Sequence, residues 1–443
     1  MDGLGEPSPN ADMHVVWQEP ETVCARLYDA PGLILLRGGG PIAGRYSYLS
    51  AFPAFTVLHD DPATGFAALR DQFRPSAARR DDGFSGGYMG LLAYDLGQAF
   101  ERVPALPSGL TDCPAVAMGW YDAVLVFDHE KRTLSLRGTP HAKAELLEAL
   151  HADPIQIEAG AGDLTQVWSD ATYKRAVETA RDYIRAGDVF QVNLSHAFRG
   201  QISGRNAPLG VMTRLARSSP AGFSAYYAPV EDRAIVTNSP ERFLSVDAAG
   251  QVTTRPIKGT AARESDTALD QAARKRLIGS VKDRAENLMI VDLMRNDLSR
   301  VCAPGSVKTP DLFALESYAN VHHLVSTVTG QLRADQTVFD LLQASFPPGS
   351  ITGAPKLRAM EIIAELEGES RGPYCGAMGW IDAGGAADFN VMIRTASFMR
   401  EGEHWQVEAR SGGGITIDSH PEAELAETRA KLNALRHAIE GAG

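Results

Sequence analysis

The chain has 443 residues and lacks the marks of several protein classes. Its four cysteines, Cys24, Cys113, Cys302 and Cys375, stand apart with no CxxC pair among them. That excludes the usual spacing of a structural zinc site or a disulfide framework, so a reducing compartment is expected. No apolar run approaches the roughly 18 residues of a membrane span. Residues 1–18 are polar and hold no signal-like apolar core. Basic charge is also in deficit: 43 Lys and Arg against 55 Asp and Glu leave a formal charge of −12. A nucleic-acid binder should carry a basic face. The chain therefore reads as cytoplasmic, with no nucleic-acid and no membrane partner. Neither Gly38-Gly39-Gly40 nor the segment Gly86–Gly97 runs into the Gly-Lys-Ser/Thr of a phosphate loop. Both read as tight turns between strands.

What is present is ordinary for a globular protein, with 44% hydrophobic and 22% charged residues. The length supports a full core without covalent staples. Residues 13–137 read as short strands with turns, among them Leu33-Ile34-Leu35-Leu36. Residues 151–166 are rich in Ala, Gly and Asp and form the best candidate linker. They divide an N-terminal region, 1–150, from a catalytic domain, 165–440.

A helix follows the linker. Ser169 is a suitable N-cap, Tyr173, Ala176, Val177, Ala180 and Ile184 recur at helical spacing, and Gly187 suits the C′ position. Phe190, Val192 and Leu194 then alternate with Gln191 and Asn193, which predicts a strand with one apolar and one polar face. Further strands are expected at 223–227, 234–237, 243–246, 251–255, 391–398 and 405–410. Helices are expected at 268–278, 280–299, 355–367 and 421–439, with Pro355 and Pro421 at first helical positions. Without strict strand–helix alternation, the class is α+β.

Two helices carry the same device. Asp283 and Glu286 lie three apart, as do Glu424 and Glu427, with Lys431 one turn further. Each helix thus projects paired carboxylates from one stripe. Facing stripes would repel unless a hard cation stood between them, and magnesium suits one or two carboxylates plus substrate oxygens. Ser411-Gly412-Gly413-Gly414-Ile415 reads as a loop whose successive N–H groups cradle an anion. Arg394 falls in a strand pattern and offers a bidentate carboxylate clamp. Ser350–Lys356 opens a helix and offers N–H groups to an anion. No Ser/His/Asp arrangement stands out from order and spacing. Glu241 follows Ser239-Pro240 at a turn, and Lys258 is confined between Pro256-Ile257 and Gly259. Together these residues suggest a magnesium-assisted enzyme acting on a small polycarboxylate.

The segments Ser239-Pro240-Glu241-Arg242-Phe243, Arg255-Pro256-Ile257-Lys258-Gly259-Thr260 and Glu286–Asp297 resemble the chorismate-utilising enzymes. So do His323-Leu324-Val325-Ser326, Phe346–Lys356 and Gly412–Lys431, in order over residues 165–435 at least. The resemblance implies the anthranilate synthase component I type of fold: packed antiparallel sheets, helices outside and a central cleft. It also implies a set of roles. Glu286 and Glu427 would hold Mg2+, with Asp283 and Glu424 supporting through water. Arg394, Gln191, Thr260, Gly412, Gly413, Gly414 and Lys431 would bind chorismate. Glu241 would be the general acid, assisted by His323, and Lys258 a nucleophile at C2. Anthranilate synthases have alanine where this chain has Lys258. Isochorismate and salicylate synthases activate water with a lysine where this chain has Gln191. Both residues point to the branch that forms aminodeoxychorismate. No Gly-x-Cys-x-Gly nucleophile surrounds any cysteine, so ammonia would come from a separate glutamine amidotransferase subunit. Two departures from the family pattern stand out. Trp380 replaces a usual tyrosine, which would remove one hydroxyl contact to a substrate carboxylate. Leu35-Leu36-Arg37-Gly38 replaces a Leu-Leu-Glu-Ser tryptophan-binding signature.

Overall fold

The computed structural model describes residues 12–38, 44–76, 82–158, 160–318 and 321–441. Gly39 and Gly40 of the first glycine cluster lie outside them.

Two antiparallel sheets, of twelve and ten strands among the described residues, carry the fold. Each is assembled from both sides of the 151–166 segment. In the larger sheet the strand Ile34–Arg37 pairs with Phe223–Val230. In the smaller one Gly87–Leu92 pairs with Ala377–Asp382. The larger sheet ends on Arg233–Ser239, Thr395–Glu401, His404–Ile415, Gln191–Ser203 and the short Gly353–Ala354. The smaller sheet ends on Gln251–Arg255, Val321–Gln331 and Ile257–Ala262. These ends hold the residues of interest.

Helices cover the outer faces. The predicted helix after the linker is Asp170–Ala186, with the Ser169 hydroxyl accepting from the Thr172 N–H and Gly187 left-handed at φ +86°. Its Tyr173, Val177 and Ala180 pack on Val192, Leu194 and Ile415. The helix Val281–Ser299 is capped by Ser280, which accepts from the Asp283 N–H at 3.2 Å. The last helix, Pro421–Glu440, begins with proline in its first turn, as expected.

Several local expectations are corrected. The 13–137 region also contains the helices Pro20–Arg26 and Pro62–Asp71, and Pro140–Ala149 lies just beyond it. Gly87–Leu92 is a fully buried strand rather than a turn; apolar side chains on both of its faces give it two packed sides. The strand Gln191–Ser203 likewise has no wet face over residues 191–198, which are all buried, while Phe190, just before it, is 73% exposed. Pro355 is the N-cap of Lys356–Glu367 and not its first residue. The helices Ala207–Ser218 and Val338–Ser345 had no sequence counterpart.

Candidate active site

The strand Ile257–Ala262 carries Lys258 past the helix Val281–Ser299. Gly259, at φ +87°, makes this approach possible: a Cβ there would lie 3.0 Å from the Asp283 Cβ. Lys258 is half-buried, and desolvation pulls its ammonium below the ordinary lysine range, with Lys431 adding to the effect. The carboxylates of Glu286, Glu241 and Glu427 act in the opposite sense. Loss of water favours the uncharged amine.

Glu241 lies between Arg233–Ser239 of the larger sheet and Arg242–Val246 of the smaller one and is buried. Burial pushes its carboxyl up, against hydrogen bonds from the Ser350 hydroxyl and the Ile257 N–H and the charges of Lys258 and Lys431. Glu286 is also raised, chiefly by desolvation, and Asp283 and Glu424 add like charge. Its Oε1 is buried without a hydrogen-bond partner, and the Lys282 ammonium stands 3.8 Å off.

The second carboxylate helix approaches from the other sheet. Ser411–Ile415 is not a loop: it completes the strand His404–Ile415, and Gly412, Gly413 and Gly414 pair with Ser195, Leu194 and Asn193. The glycines are needed for closeness rather than for a turn. A Cβ on Gly413 would lie 3.2 Å from Glu424 Oε2, 3.7 Å from Lys431 Nζ and 3.8 Å from Glu427 Oε1. A Cβ on Gly414 would lie 2.7 Å from Gln191 Nε2. Lys431 pairs with Glu427 at 2.7 Å and donates to the Gly412 carbonyl oxygen at 3.0 Å. Desolvation of the Glu427 carboxyl is outweighed by Lys431, Lys258 and Lys282, so it is held below the usual range. Glu424 goes the other way, raised by burial and by Glu427.

His323 lies on the neighbouring strand and shares a 2.9 Å hydrogen bond with the exposed Thr260 hydroxyl. Burial, with the charges of Arg394 and His322, pulls its pKa down to about 4. Arg394 itself is not in a strand. It sits at a bend with φ +52°, just before Thr395–Glu401. Its guanidinium makes no hydrogen bond or ion pair among the described residues, and burial lowers its pKa. Both ends of the Gln191 amide and the Asn193 Oδ1 are likewise buried without partners. Buried polar groups normally find a partner. An uncommitted guanidinium, the uncommitted Gln191 amide and the orphaned Asn193 Oδ1 suit a polar ligand.

Among the described residues, no three His, Cys, Asp or Glu side chains form a ready metal cluster. Magnesium does not require one, because it keeps several waters and takes one or two carboxylates. The orphaned Glu286 oxygen and the crowded carboxylates fit such an ion.

Other placements differ from expectation. In the Ser350–Lys356 segment the Lys356 ammonium is bound to Asp297 at 2.7 Å and to the Ser345 carbonyl oxygen. Ser350 instead reaches Glu241, a contact that order and spacing did not signal. Trp380 packs on Phe84 and Tyr48, with ring centroids 5.4 and 5.9 Å away. There it lines a cavity with Leu36, Arg37 and Gly38. Arg37 in that cavity is ion-paired with Glu21. Ser317, His322 and Asp270 do come together, at 2.7 and 2.9 Å, although spacing gave no hint of it.

A family model described as chorismate binding enzyme matches residues 43–437. The chain is a chorismate-binding enzyme. Among similar members is the aminodeoxychorismate synthase component 1 of Klebsiella aerogenes, 43% identical over 365 residues, covering 81% of this chain and 78% of that one. The anthranilate synthase component 1 of Saccharolobus solfataricus is 35% identical over 424 residues, 94% of each chain. The crystal structure of anthranilate synthase component I from Streptococcus pneumoniae TIGR4 superposes with a TM-score of 0.79 at 29% identity, covering 89% of this chain and 93% of its own. The two chains thus share one fold. No helix among the described residues is long and apolar enough to cross a membrane.

Proposed function

We propose that the chain is the chorismate-aminating component of an aminodeoxychorismate synthase. It would convert chorismate and ammonia to 4-amino-4-deoxychorismate, a precursor of p-aminobenzoate and folate. The observation that carries this reading is Lys258, a desolvated amine facing Glu241, Glu286 and Glu427. Gln191 supports it, since an amide cannot deprotonate water as a lysine would.

In this reading Lys258 Nζ, as the free amine, bonds to C2 of chorismate. The ring double bonds shift, the C4–O bond breaks, and the hydroxyl leaves as water with the proton of Glu241. Ammonia then bonds to C4 and gives one proton back to the Glu241 carboxylate, the double bonds shift back, and the C2–N bond breaks to return Lys258 as the free amine. The raised carboxyl of Glu241 suits an acid that must hold its proton near neutral pH. Neutral His323 assists beside it. Arg394, Lys431, Thr260, Gln191 and the backbone of Gly412, Gly413 and Gly414 hold the substrate. Glu286 and Glu427, with Asp283 and Glu424 in support through water, would hold Mg2+, which supplies positive charge for the ring carboxylate. Ammonia is supplied by a glutamine amidotransferase subunit, in keeping with the component naming of the Klebsiella relative.

Incubation with chorismate, magnesium and ammonium at high pH should yield 4-amino-4-deoxychorismate on chromatography. Fluorescent anthranilate as the product would replace this reading with anthranilate synthase. No turnover at all would leave a subunit that only binds.

A further inference from the structure

Behind the site lies a buried ion pair that none of the proposed steps uses. The side chains of Glu367 and Arg371 are 0% and 1% exposed and meet at 2.6 Å. A buried pair is a poor stabiliser, because desolvation offsets the Coulomb attraction and an apolar pair serves as well. What an apolar pair cannot do is fix several acceptors at set angles, as the planar guanidinium fork does.

Arg371 does this for three segments. It donates to both Glu367 oxygens at the end of the helix Lys356–Glu367. It donates to the Asn193 carbonyl oxygen at 2.8 Å, in the strand that carries Gln191. It donates to the Ile351 carbonyl oxygen at 3.1 Å, beside Ser350, the hydrogen-bond partner of Glu241. Glu367 Oε1 in turn accepts from the N–H and hydroxyl of Ser195 at 2.8 and 2.9 Å. The Tyr94 ring, 4.8 Å from the guanidinium carbon, closes its open face.

The geometry points to Arg371 as a positioning residue: it sets the distance between the wall bearing Gln191 and Asn193 and the wall bearing Ser350 and Glu241. The inference rests on the aminating function proposed above. Arg394 and Lys431, which would hold the substrate carboxylates, make no bond to Arg371. Gln191 shares the wall that Arg371 sets, so a disturbed Arg371 should lower kcat more than it raises KM.

The test uses the full-length enzyme with chorismate, magnesium and ammonium. Arg371→Lys keeps the charge beside Glu367, but one ammonium cannot reach Glu367, Asn193 and Ile351 in the same geometry. We expect kcat to fall roughly 10- to 100-fold, as for misplacement of about an ångström, with KM for chorismate within about threefold. Arg410→Lys is the control. Arg410 also touches Glu367, at 3.1 Å, but otherwise binds Glu369, Ser370 and Ser195 and neither wall carbonyl. It should keep kcat near that of the wild type. If Arg371→Lys does not fold, Glu367→Gln carries the test and should show the same fall in kcat. Wild-type kcat in a folded Arg371→Lys or Glu367→Gln enzyme overturns the inference, as does an equal loss in Arg410→Lys. A wild-type enzyme that makes no aminated product removes the underlying function instead.

Discussion

Lys431 and Gly412 tie the last helix to the strand beside it, the ammonium donating to the main-chain oxygen over 3.0 Å while it also pairs with Glu427. This places one positive charge over Gly413, 3.7 Å from where a Cβ on that glycine would stand. Lys431→Met should keep the fold, because the side chain is 41% exposed. With that exposure discounting a charged hydrogen bond, KM for chorismate should rise about tenfold. An unchanged KM in steady-state kinetics would remove Lys431 from substrate binding.

Lys258 makes a covalent prediction. Acid quench during turnover, followed by intact mass, should reveal a chorismate-derived adduct that Lys258→Ala abolishes. Because burial lowers the Lys258 pKa from 10.5, the activity limb that tracks the free amine should rise with pH below that value. Wild-type turnover in Lys258→Ala, or a limb at the pKa of free lysine, would refute the nucleophile.

Glu286→Gln tests the metal. It removes a charge from a carboxylate whose Oε1 has no hydrogen-bond partner. Binding of Mg2+ measured by calorimetry should weaken by at least about tenfold, and turnover should need correspondingly more magnesium. Wild-type affinity would show that the ion is held elsewhere.

Two buried histidines make the fold sensitive to acid. Burial lowers both His196 and His323 to about 4. The unfolded chain protonates them near 6.5, so between those values it binds more protons than the folded one. Stability should therefore fall as pH drops from about 6.5 toward 4 and hold steady above that window. Chemical denaturation across this range should show the slope, and replacing both histidines by Asn should flatten it.

The helix after the linker was the most legible element. The periodic residues from Tyr173 to Ile184 sit between a serine cap and a glycine stop, so local and tertiary preferences agree. The three glycines at 412–414 failed as a local signal. Low strand propensity suggested a loop, but a paired strand under Glu424 and Lys431 leaves no room for side chains. Arg394 misled for the opposite reason: its apolar neighbours imitate a strand, while its own backbone turns at φ +52°. Lys258, Glu241, Glu286 and the 421–440 helix were legible through the family motifs. Arg371 was not, because its pairing with Glu367 reads as an ordinary i, i+4 contact and its two carbonyl acceptors are 20 and 178 residues away.

The pairing of Ile34–Arg37 with Phe223–Val230, and of Gly87–Leu92 with Ala377–Asp382, limits how the gene can be cut. A fragment starting at residue 165 would expose one raw edge on each sheet, and such edges invite association with other chains. Shortened versions should emerge insoluble from expression hosts, whereas the two halves made together as separate polypeptides have complementary edges through which to recombine.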